Sequence, residues 1–137
     1  MKRQNVVHVG IATYEQQKAR LMAIARSEYK PAPDEPKIWF SSIESLAQVL
    51  SSKNQLLLEI IATSKPGSIG ELGQLTGRRS SNLSRSLGTL QRYGLVSLQK
   101  QGKAVVPRAV YDRVEIDINL AGSTPWTREQ RDQQHSV

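Results

Sequence analysis

One segment, Ser80 to Tyr93, holds polar residues at a spacing that suits contact with nucleic-acid bases. On a helical wheel Leu83, Leu87 and Leu90 fall on one face, which leaves a polar face opposite. Arginine can form a bidentate pair with guanine and asparagine with adenine, and serine or threonine can serve a base or a phosphate. We therefore predict that four residues of the outer face read bases: Ser81, Asn82, Arg85 and Thr89.

The charge of the chain favours a polyanion as partner. Its 137 residues include 19 Lys and Arg against 12 Asp and Glu, a formal net charge of +7, and such an excess attracts nucleic acid or an anionic membrane surface. No apolar run approaches the roughly 20 residues that a membrane span needs, so double-stranded DNA is the favoured partner. A helix N-terminus also attracts phosphate through its dipole and its free N–H groups. Five basic residues are predicted to hold mainly phosphates: Arg78, Arg79, Arg92, Lys100 and Lys103.

Sequence signals make this polar helix the second of a pair. Ser68 and Glu71 have the spacing of a capping box, in which each side chain accepts from the other residue's backbone N–H. Gly77 ends that first helix, and Gly94 ends the second, because glycine readily adopts the left-handed conformation that follows a helix. The pattern predicts a helix, a tight basic turn and a second helix.

Strand patterns follow the helix pair. Leu95 to Leu98 is predicted to be a strand, with a hairpin tip at residues 100–103 and a return strand from Ala104 to Val106. Pro107 indicates that the return strand lies on an edge or ends there. From Val110 to Leu120 apolar and polar residues alternate, apart from Asp112, as a half-buried strand requires.

The N-terminal part carries its own elements. Val6 to Val9 is β-prone, Thr13 is a suitable N-cap for a helix to about Glu28, and three prolines indicate a linker before residue 37. The fold class expected is α+β, a winged helix-turn-helix with an added N-terminal strand and helix and a C-terminal strand. Four segments are predicted: an N-terminal strand, helix and linker at 1–36, a DNA-binding domain at 37–109, a strand at 110–120, and a flexible tail at 121–137.

The segment from Leu56 to Val106 resembles the winged helix-turn-helix of MarR-like transcriptional regulators. The matching stretches are SIGELGQLTGR, SSNLSRSLGTLQRYGLV and QKQGKA. Over residues 38–120 the chain also resembles a small group of prokaryotic MarR-like proteins, some of which are antitoxins of toxin–antitoxin pairs. That wider likeness rests on IWFSS at 38–42, the helices from Leu46 to Leu58, and VYDRVEID at 110–117.

The resemblance implies a homodimer, a recognition helix at about Ser80 to Tyr93 and a wing at about Gln99 to Ala104. It also implies that residues outside the winged helix serve dimerisation or a protein partner. The first helix and the strand at 110–120 could build the dimer interface, and the tail, with Trp126 as its strongest anchor, could order on a toxin. Two glycines depart from the pattern: Gly73, where such proteins usually carry alanine, and Gly88, which lies within the recognition helix.

Residue types argue against catalysis and cofactors. The chain has no cysteine, which excludes a disulfide, a thiolate metal site and a cysteine nucleophile. His8 and His135 have no ligand-spaced neighbours, so no metal site is expected. The serines of the polar helix have no nearby base, and no phosphate loop is present. No enzyme activity and no cofactor are expected, and a cytoplasmic location is the default.

The function favoured by the sequence is sequence-specific binding of double-stranded DNA as a transcriptional regulator. Within that class the resemblance favours an antitoxin that represses its own operon and binds a protein toxin. A ligand-responsive MarR-type repressor is the first alternative, although one Phe, two Trp and four Tyr leave little for an effector pocket. A protein-interaction module with a degenerate winged helix is the second alternative.

Overall fold

The computed structural model describes residues 5–122 and 124–126, and the described chain is a mixed α+β fold. Its helices and strands follow one another in this order: β1 Val6–Ile11, α1 Tyr14–Ala25, β2 Ile38–Phe40, α2 Ile43–Val49, α3 Ser52–Ser64, α4 Ile69–Thr76, α5 Ser80–Arg92, β3 Val96–Gln101, β4 Ala104–Ala109 and β5 Arg113–Asp117. The predicted fold class is confirmed: α3, α4, α5 and the β3–β4 hairpin form a winged helix-turn-helix.

The chain folds into two compact units, each built from two separate stretches of sequence. Of the described residues, the first holds 5–6 and 46–114 and is called the winged-helix unit. The second holds 7–45 and the residues from 115 onward and is called the sheet unit. The sequence predicted consecutive segments, with residues 37–45 at the start of the DNA-binding segment. In the structure these residues lie in the sheet unit. The boundaries fall within β1, α2 and β5, and β1 and β5 are assigned to the sheet unit, which holds most of their residues.

Leucines at helical spacing build the core of the winged-helix unit. Leu83, Leu87 and Leu90 of α5 are buried, as the helical wheel predicted, because they fall on one face of the helix. They share the interior with buried residues from α3, α4 and the hairpin: Leu57, Ile61, Leu72, Leu95, Val96 and Val106. The predicted spacing therefore fixes which face of α5 points inward and which is left to solvent.

The start of α4 differs in one bond from the predicted capping box. The Ser68 hydroxyl accepts from the Glu71 N–H at 3.0 Å, as expected. The Glu71 carboxylate, however, accepts from the N–H of Gly67 at 2.9 Å. The donor is thus the N–H of Gly67 and not that of Ser68, the donor in a capping box. Both bonds satisfy backbone donors near the helix start, so the capping effect is retained.

The hairpin is longer than predicted. β3 and β4 pair antiparallel from Val96 opposite Ala109 to Gln101 opposite Ala104, which leaves a two-residue tip. Gly102 opens that tip with φ of +61°, the conformation that favours glycine at the first position of a II′ turn. Pro107 lies inside β4 opposite Leu98. The strand continues past the proline because the sheet has two strands, so both are edges that tolerate a missing donor.

The sheet unit contains a parallel pairing that the sequence pattern did not indicate. Its three strands lie in the order β2–β1–β5, and Gly10 of β1 is opposite Trp39 of β2. α1 makes the crossover between β1 and β2, and it begins at the predicted N-cap Thr13, whose hydroxyl accepts from the Gln16 N–H at 3.2 Å. Gly10 is required because a β-carbon there would lie 2.7 Å from Cε3 of the Trp39 ring.

Two C-terminal predictions are corrected in the sheet unit. The strand predicted over 110–120 is shorter, Arg113–Asp117. The predicted apolar face is also largely exposed in its second half, where Ile116 is 49%, Ile118 43% and Leu120 95% exposed. Trp126, predicted as an anchor for a partner, is 5% exposed and packs edge-on against Trp39 and Tyr29. Its indole is therefore a core residue of this unit. Of the predicted tail, residues 123 and 127–137 lie outside the described residues.

Candidate nucleic-acid interface

A compact turn holds the two helices of the winged-helix unit together. Gly77 ends α4 with φ of +70°, and its N–H donates to the Gly73 carbonyl at 2.8 Å. The Thr76 hydroxyl donates to the Leu72 carbonyl at 2.9 Å and accepts from the Arg78 N–H at 3.3 Å. These bonds fix the path of the chain between α4 and α5, so the orientation of α5 is set locally.

The predicted base-reading residues lie on the outer side of α5. Ser81, Asn82 and Arg85 are exposed, on the side away from the buried leucines. Thr89 is half-buried, and its hydroxyl donates to the Arg85 carbonyl at 3.1 Å. The Thr89 hydroxyl therefore already uses its proton and is left as an acceptor, which suits it better to an amino group than to a phosphate.

Four of the five predicted phosphate contacts are exposed: Arg79, Arg92, Lys100 and Lys103. Arg78 is different, because it is half-buried and its Nη2 donates to the Ser86 hydroxyl at 2.6 Å. Its Nη1 is buried and has no hydrogen-bond partner among the described residues. Arg78 thus fastens the turn to α5, a role that the sequence did not indicate.

The N-terminus of α5 has no side-chain cap. Its N-cap residue, Arg79, has extended backbone and makes no capping hydrogen bond with its side chain. The first N–H groups of a helix carry the positive end of its dipole, and an anion placed there is stabilised by both the dipole and the N–H donors. The exposed Arg79 guanidinium adds a full positive charge at the same end.

The wing is anchored by an arginine that sequence reasoning missed. Nη1 of Arg108, in β4, donates to the carbonyls of Pro66 at 2.7 Å and Pro107 at 2.8 Å. Pro66 lies in the turn before α4, so this bond ties the hairpin to the helix pair. Lys103 lies at the hairpin tip and Lys100 on β3. No sequence signal separates Arg108 from an exposed arginine, because only the fold brings it to that turn.

Positive charge is concentrated in the winged-helix unit. Residues 46–114 contain ten Lys and Arg against three Asp and Glu, a balance equal to the +7 of the whole chain. No acidic residue lies between Glu71 and Asp112, a stretch that holds the turn, α5 and the hairpin. The surface formed by α5 and the hairpin therefore carries basic side chains and no acidic ones.

Two glycines of this unit provide a matched test of backbone conformation. A β-carbon added at Gly88 or Gly94 meets nothing within 4 Å, but Gly94 has φ of +77° whereas Gly88 lies within α5. We expect Gly88→Ala to raise the free energy of unfolding by about 0.5–1 kcal/mol. Gly94→Ala should lower it by about 1–2 kcal/mol, because an alanine is strained at positive φ. Urea unfolding followed by circular dichroism measures both, and shifts in the same direction would contradict the explanation.

A groove of about 450 Å³ lies between α3 and the helix pair. Leu56 and Leu75 on its walls are each about half exposed. Its lining combines apolar and basic or polar side chains, namely Lys53, Leu56, Leu57, Ile60, Leu75, Thr76, Arg78 and Asn82. The groove therefore borders both the turn, at Arg78, and the outer face of α5, at Asn82.

Other kinds of site find no support in the part of the chain that the structure describes. No cluster of His, Asp and Glu there could hold a metal ion. No described helix has the length and the apolar character needed to cross a membrane.

The chain is similar to one family model and to several solved structures. The HVO_A0114 family model matches residues 49–116, just under half of the chain. This stretch contains every candidate interface residue. One solved structure, described as that of a predicted DNA-binding transcriptional regulator from E. coli, is 23% identical over 69% of this chain and 84% of that chain, with a TM-score of 0.43. None of the curated proteins matches the chain.

Proposed function

We propose that this chain is a sequence-specific regulator of transcription that binds double-stranded DNA as a homodimer in the cytoplasm. The observation that carries the proposal is the coincidence of shape and charge on one surface. The exposed face of α5 holds base-reading residue types, and the surrounding stretch from Glu71 to Asp112 contains no other acidic residue. In a dimer each α5 would enter a major groove, with half-sites about 34 Å apart.

We assign the residue roles from residue type and exposure. The exposed Ser81, Asn82 and Arg85, with Thr89 as an acceptor, would contact base edges in the major groove. The exposed basic residues on either side would hold the phosphate backbone: Arg79, Arg92, Lys100 and Lys103. Arg78, already bonded to Ser86, would support the turn and present only part of its guanidinium to a phosphate.

Base contacts and phosphate contacts can be separated by two single substitutions. Arg85→Ala should weaken binding to the preferred sequence by about 1–3 kcal/mol and relax sequence preference at one position. Lys103→Ala should weaken binding to all sequences alike and reduce the dependence of affinity on salt, because one phosphate contact is lost. Fluorescence anisotropy titrations against the preferred site and a mutated site, at several salt concentrations, measure both effects. Identical behaviour of the two variants would contradict the assigned roles.

The experiment that tests the proposed function itself is a titration with two DNA duplexes. One duplex carries the region upstream of the chain's own gene, and the control carries the same bases scrambled. Preference for the native sequence at physiological salt is the expected result. Equal binding that disappears with salt would mean that the basic surface binds DNA without reading it, and the protein-interaction alternative would then be favoured.

An antitoxin role is the finer form of this proposal. It is supported by the resemblance over residues 38–120 to a group that includes winged-helix antitoxins. Trp126 is unsuited to anchor a toxin because it is buried. Exposed apolar side chains of α1 are better suited, because Tyr14 is 79% and Leu21 64% exposed. Co-expression of the chain with the product of the neighbouring gene should restore growth, and Leu21→Asp should abolish the rescue while DNA binding persists.

The ligand-responsive alternative is favoured by the groove between α3 and the helix pair. Its volume, about 450 Å³, is in the range of small-molecule sites. The small number of aromatic residues predicts little room for an effector, whereas this groove supports the presence of an effector site. Release of bound DNA by a small amphipathic acid, lost in Lys53→Ala, would support this alternative.

A further inference from the structure

β5 pairs with β1 on one side only, and exposed apolar side chains lie on β5 and just after it. β5 is the last strand in the order β2–β1–β5, so nothing among the described residues pairs with its outer edge. Ile116 is 49% and Ile118 43% exposed. An open edge of this kind is a template for another strand. β2, at the opposite edge, has three residues and follows Pro36, so it offers fewer backbone groups.

Backbone alternation identifies the groups that face outward. The N–H groups of Asp112, just before β5, and of Arg113, the first residue of β5, both donate to the carbonyl of Asn5, at 2.8 and 3.2 Å. Within β5 the alternation therefore starts at Arg113, whose amide points towards β1. Because successive residues of a strand turn their N–H and C=O groups to opposite sides, those of Val114 and Ile116 face the outer edge. Each β5 therefore presents two donors and two acceptors at that edge.

We propose that β5 pairs antiparallel with β5 of a second copy of this chain, centred on Glu115, so that two three-stranded sheets join into one of six strands. In this register Val114 of each copy lies opposite Ile116 of the other. All outward donors and acceptors of both strands are then used, in four hydrogen bonds. The pairing is isologous, as a two-fold dimer requires. It specifies the interface of the homodimer in the proposed function and rests on that proposal.

Charge along the strand favours this register. Centring on Glu115 pairs every residue of β5 and places Arg113 of each copy opposite Asp117 of the other. Opposite charges across an antiparallel pair are stabilising, and like charges are destabilising. Centring on Glu115 also places the two Glu115 side chains opposite each other, but the two Arg113–Asp117 pairs offset that repulsion, and Nδ1 of His8 lies 3.5 Å from each carboxylate. Centring on Arg113 or Asp117 instead would give one like-charged pair and no opposite-charge pair.

Point substitutions in the full chain are the suitable test. Deletion of residues 1–36 would remove β1, the central strand of the sheet, so loss of the dimer would not identify the interface. A surface on α1, where Leu21 is 64% exposed, is the competing interface. Leu21→Asp is therefore the matched control, since it changes that surface and leaves β5 intact.

Charge reversal tests the pairing. Asp117→Arg should raise the dimer dissociation constant at least about tenfold in sedimentation equilibrium, because it places arginines opposite each other at both ends. Arg113→Asp combined with Asp117→Arg should restore the dissociation constant to within about threefold of the original chain, since the opposite charges face each other again. A dimer that Asp117→Arg leaves unchanged, or that Leu21→Asp disrupts instead, overturns the proposal.

Cysteine cross-linking tests the register, and the native chain has no cysteine to interfere. Glu115→Cys should give a disulfide-linked dimer on mild oxidation, because directly opposite residues have β-carbons about 4.5–5.5 Å apart. Arg113→Cys and Asp117→Cys should each stay uncross-linked alone but form a disulfide when mixed. Cross-linking of either one alone, without cross-linking at position 115, overturns this register.

DNA titration of the same proteins separates this inference from the proposed function. If Asp117→Arg leaves the dimer unchanged and the protein still prefers the native DNA, the β5 pairing is wrong and the proposed function is retained. If the dimer responds to Asp117→Arg as expected but shows no sequence preference, the proposed function is wrong and the β5 pairing is retained. The two proposals can therefore fail independently.

Discussion

Replacement of Leu87 by alanine should destabilise the winged-helix unit by about 2–5 kcal/mol. DNA binding should then be lost at the lower urea concentration at which the variant unfolds. Leu87 is 1% exposed and lies between Leu83 and Leu90 on the inner face of α5. Truncation loses the transfer free energy of three buried carbons and leaves a cavity that close-packed neighbours fill only in part. Because these leucines hold α5 in place, the recognition surface is lost with the core.

The measurement is urea unfolding by far-ultraviolet circular dichroism, combined with DNA titration below the transition. Leu75→Ala is the matched control, since Leu75 is 50% exposed and should change stability by less than about 1 kcal/mol. Arg85→Ala gives the complementary result, an unchanged unfolding midpoint with weaker specific binding. A Leu87→Ala protein as stable as the original would mean that α5 is not held by this face.

The winged-helix unit could be predicted from sequence because its signals are local. Leucines at helical spacing define the inner face of α5, and glycines with positive φ end α4 and α5 where the sequence placed them. Capping at Ser68 involves neighbours within three residues. Each of these features depends on a few consecutive residues, so the pattern alone determines it.

Features that depend on distant residues were missed. The parallel pairing of β1 with β2 joins residues 29 positions apart, from Val9 opposite Ile38 onward, and alternation within one strand carries no information about its partner. Burial of Trp126 depends on contact with Trp39, and a lone tryptophan in a polar stretch has no periodicity to reveal it. The inward turn of Arg78 likewise depends on the path of the chain after Gly77.

Exposure of the candidate interface residues could be predicted from the sequence. Exposure of Ser81, Asn82 and Arg85 follows directly from burial of the opposite leucine face, so helical geometry alone sufficed. The details of bonding did not follow, because Thr89 and Arg78 direct side-chain atoms to partners that only the folded turn brings near. Which polar residues read bases stays a prediction that DNA titration must test.

Substitution of Trp126 by alanine should destabilise the sheet unit by about 3–5 kcal/mol. The indole is 5% exposed, and its ring centroid lies 5.2 Å from that of Trp39 and 6.2 Å from that of Tyr29, both in edge-on geometry. The Arg20 guanidinium lies 6.0 Å from the same ring while Arg20 Nε donates to Glu35 Oε1 at 2.9 Å. Removal of the Trp126 ring therefore removes packing contacts from Trp39, Tyr29 and Arg20.

Tryptophan fluorescence in urea measures this prediction selectively, because both tryptophans of the chain lie in the sheet unit and Trp39 remains as the reporter. Trp126→Phe is the matched control. It keeps an aromatic edge for Trp39 and removes Nε1, which is buried without a hydrogen-bond partner among the described residues. Because an unpaired buried donor costs about 1–3 kcal/mol, the phenylalanine should recover much of the loss. An alanine variant within about 0.5 kcal/mol of the original would place Trp126 outside the core.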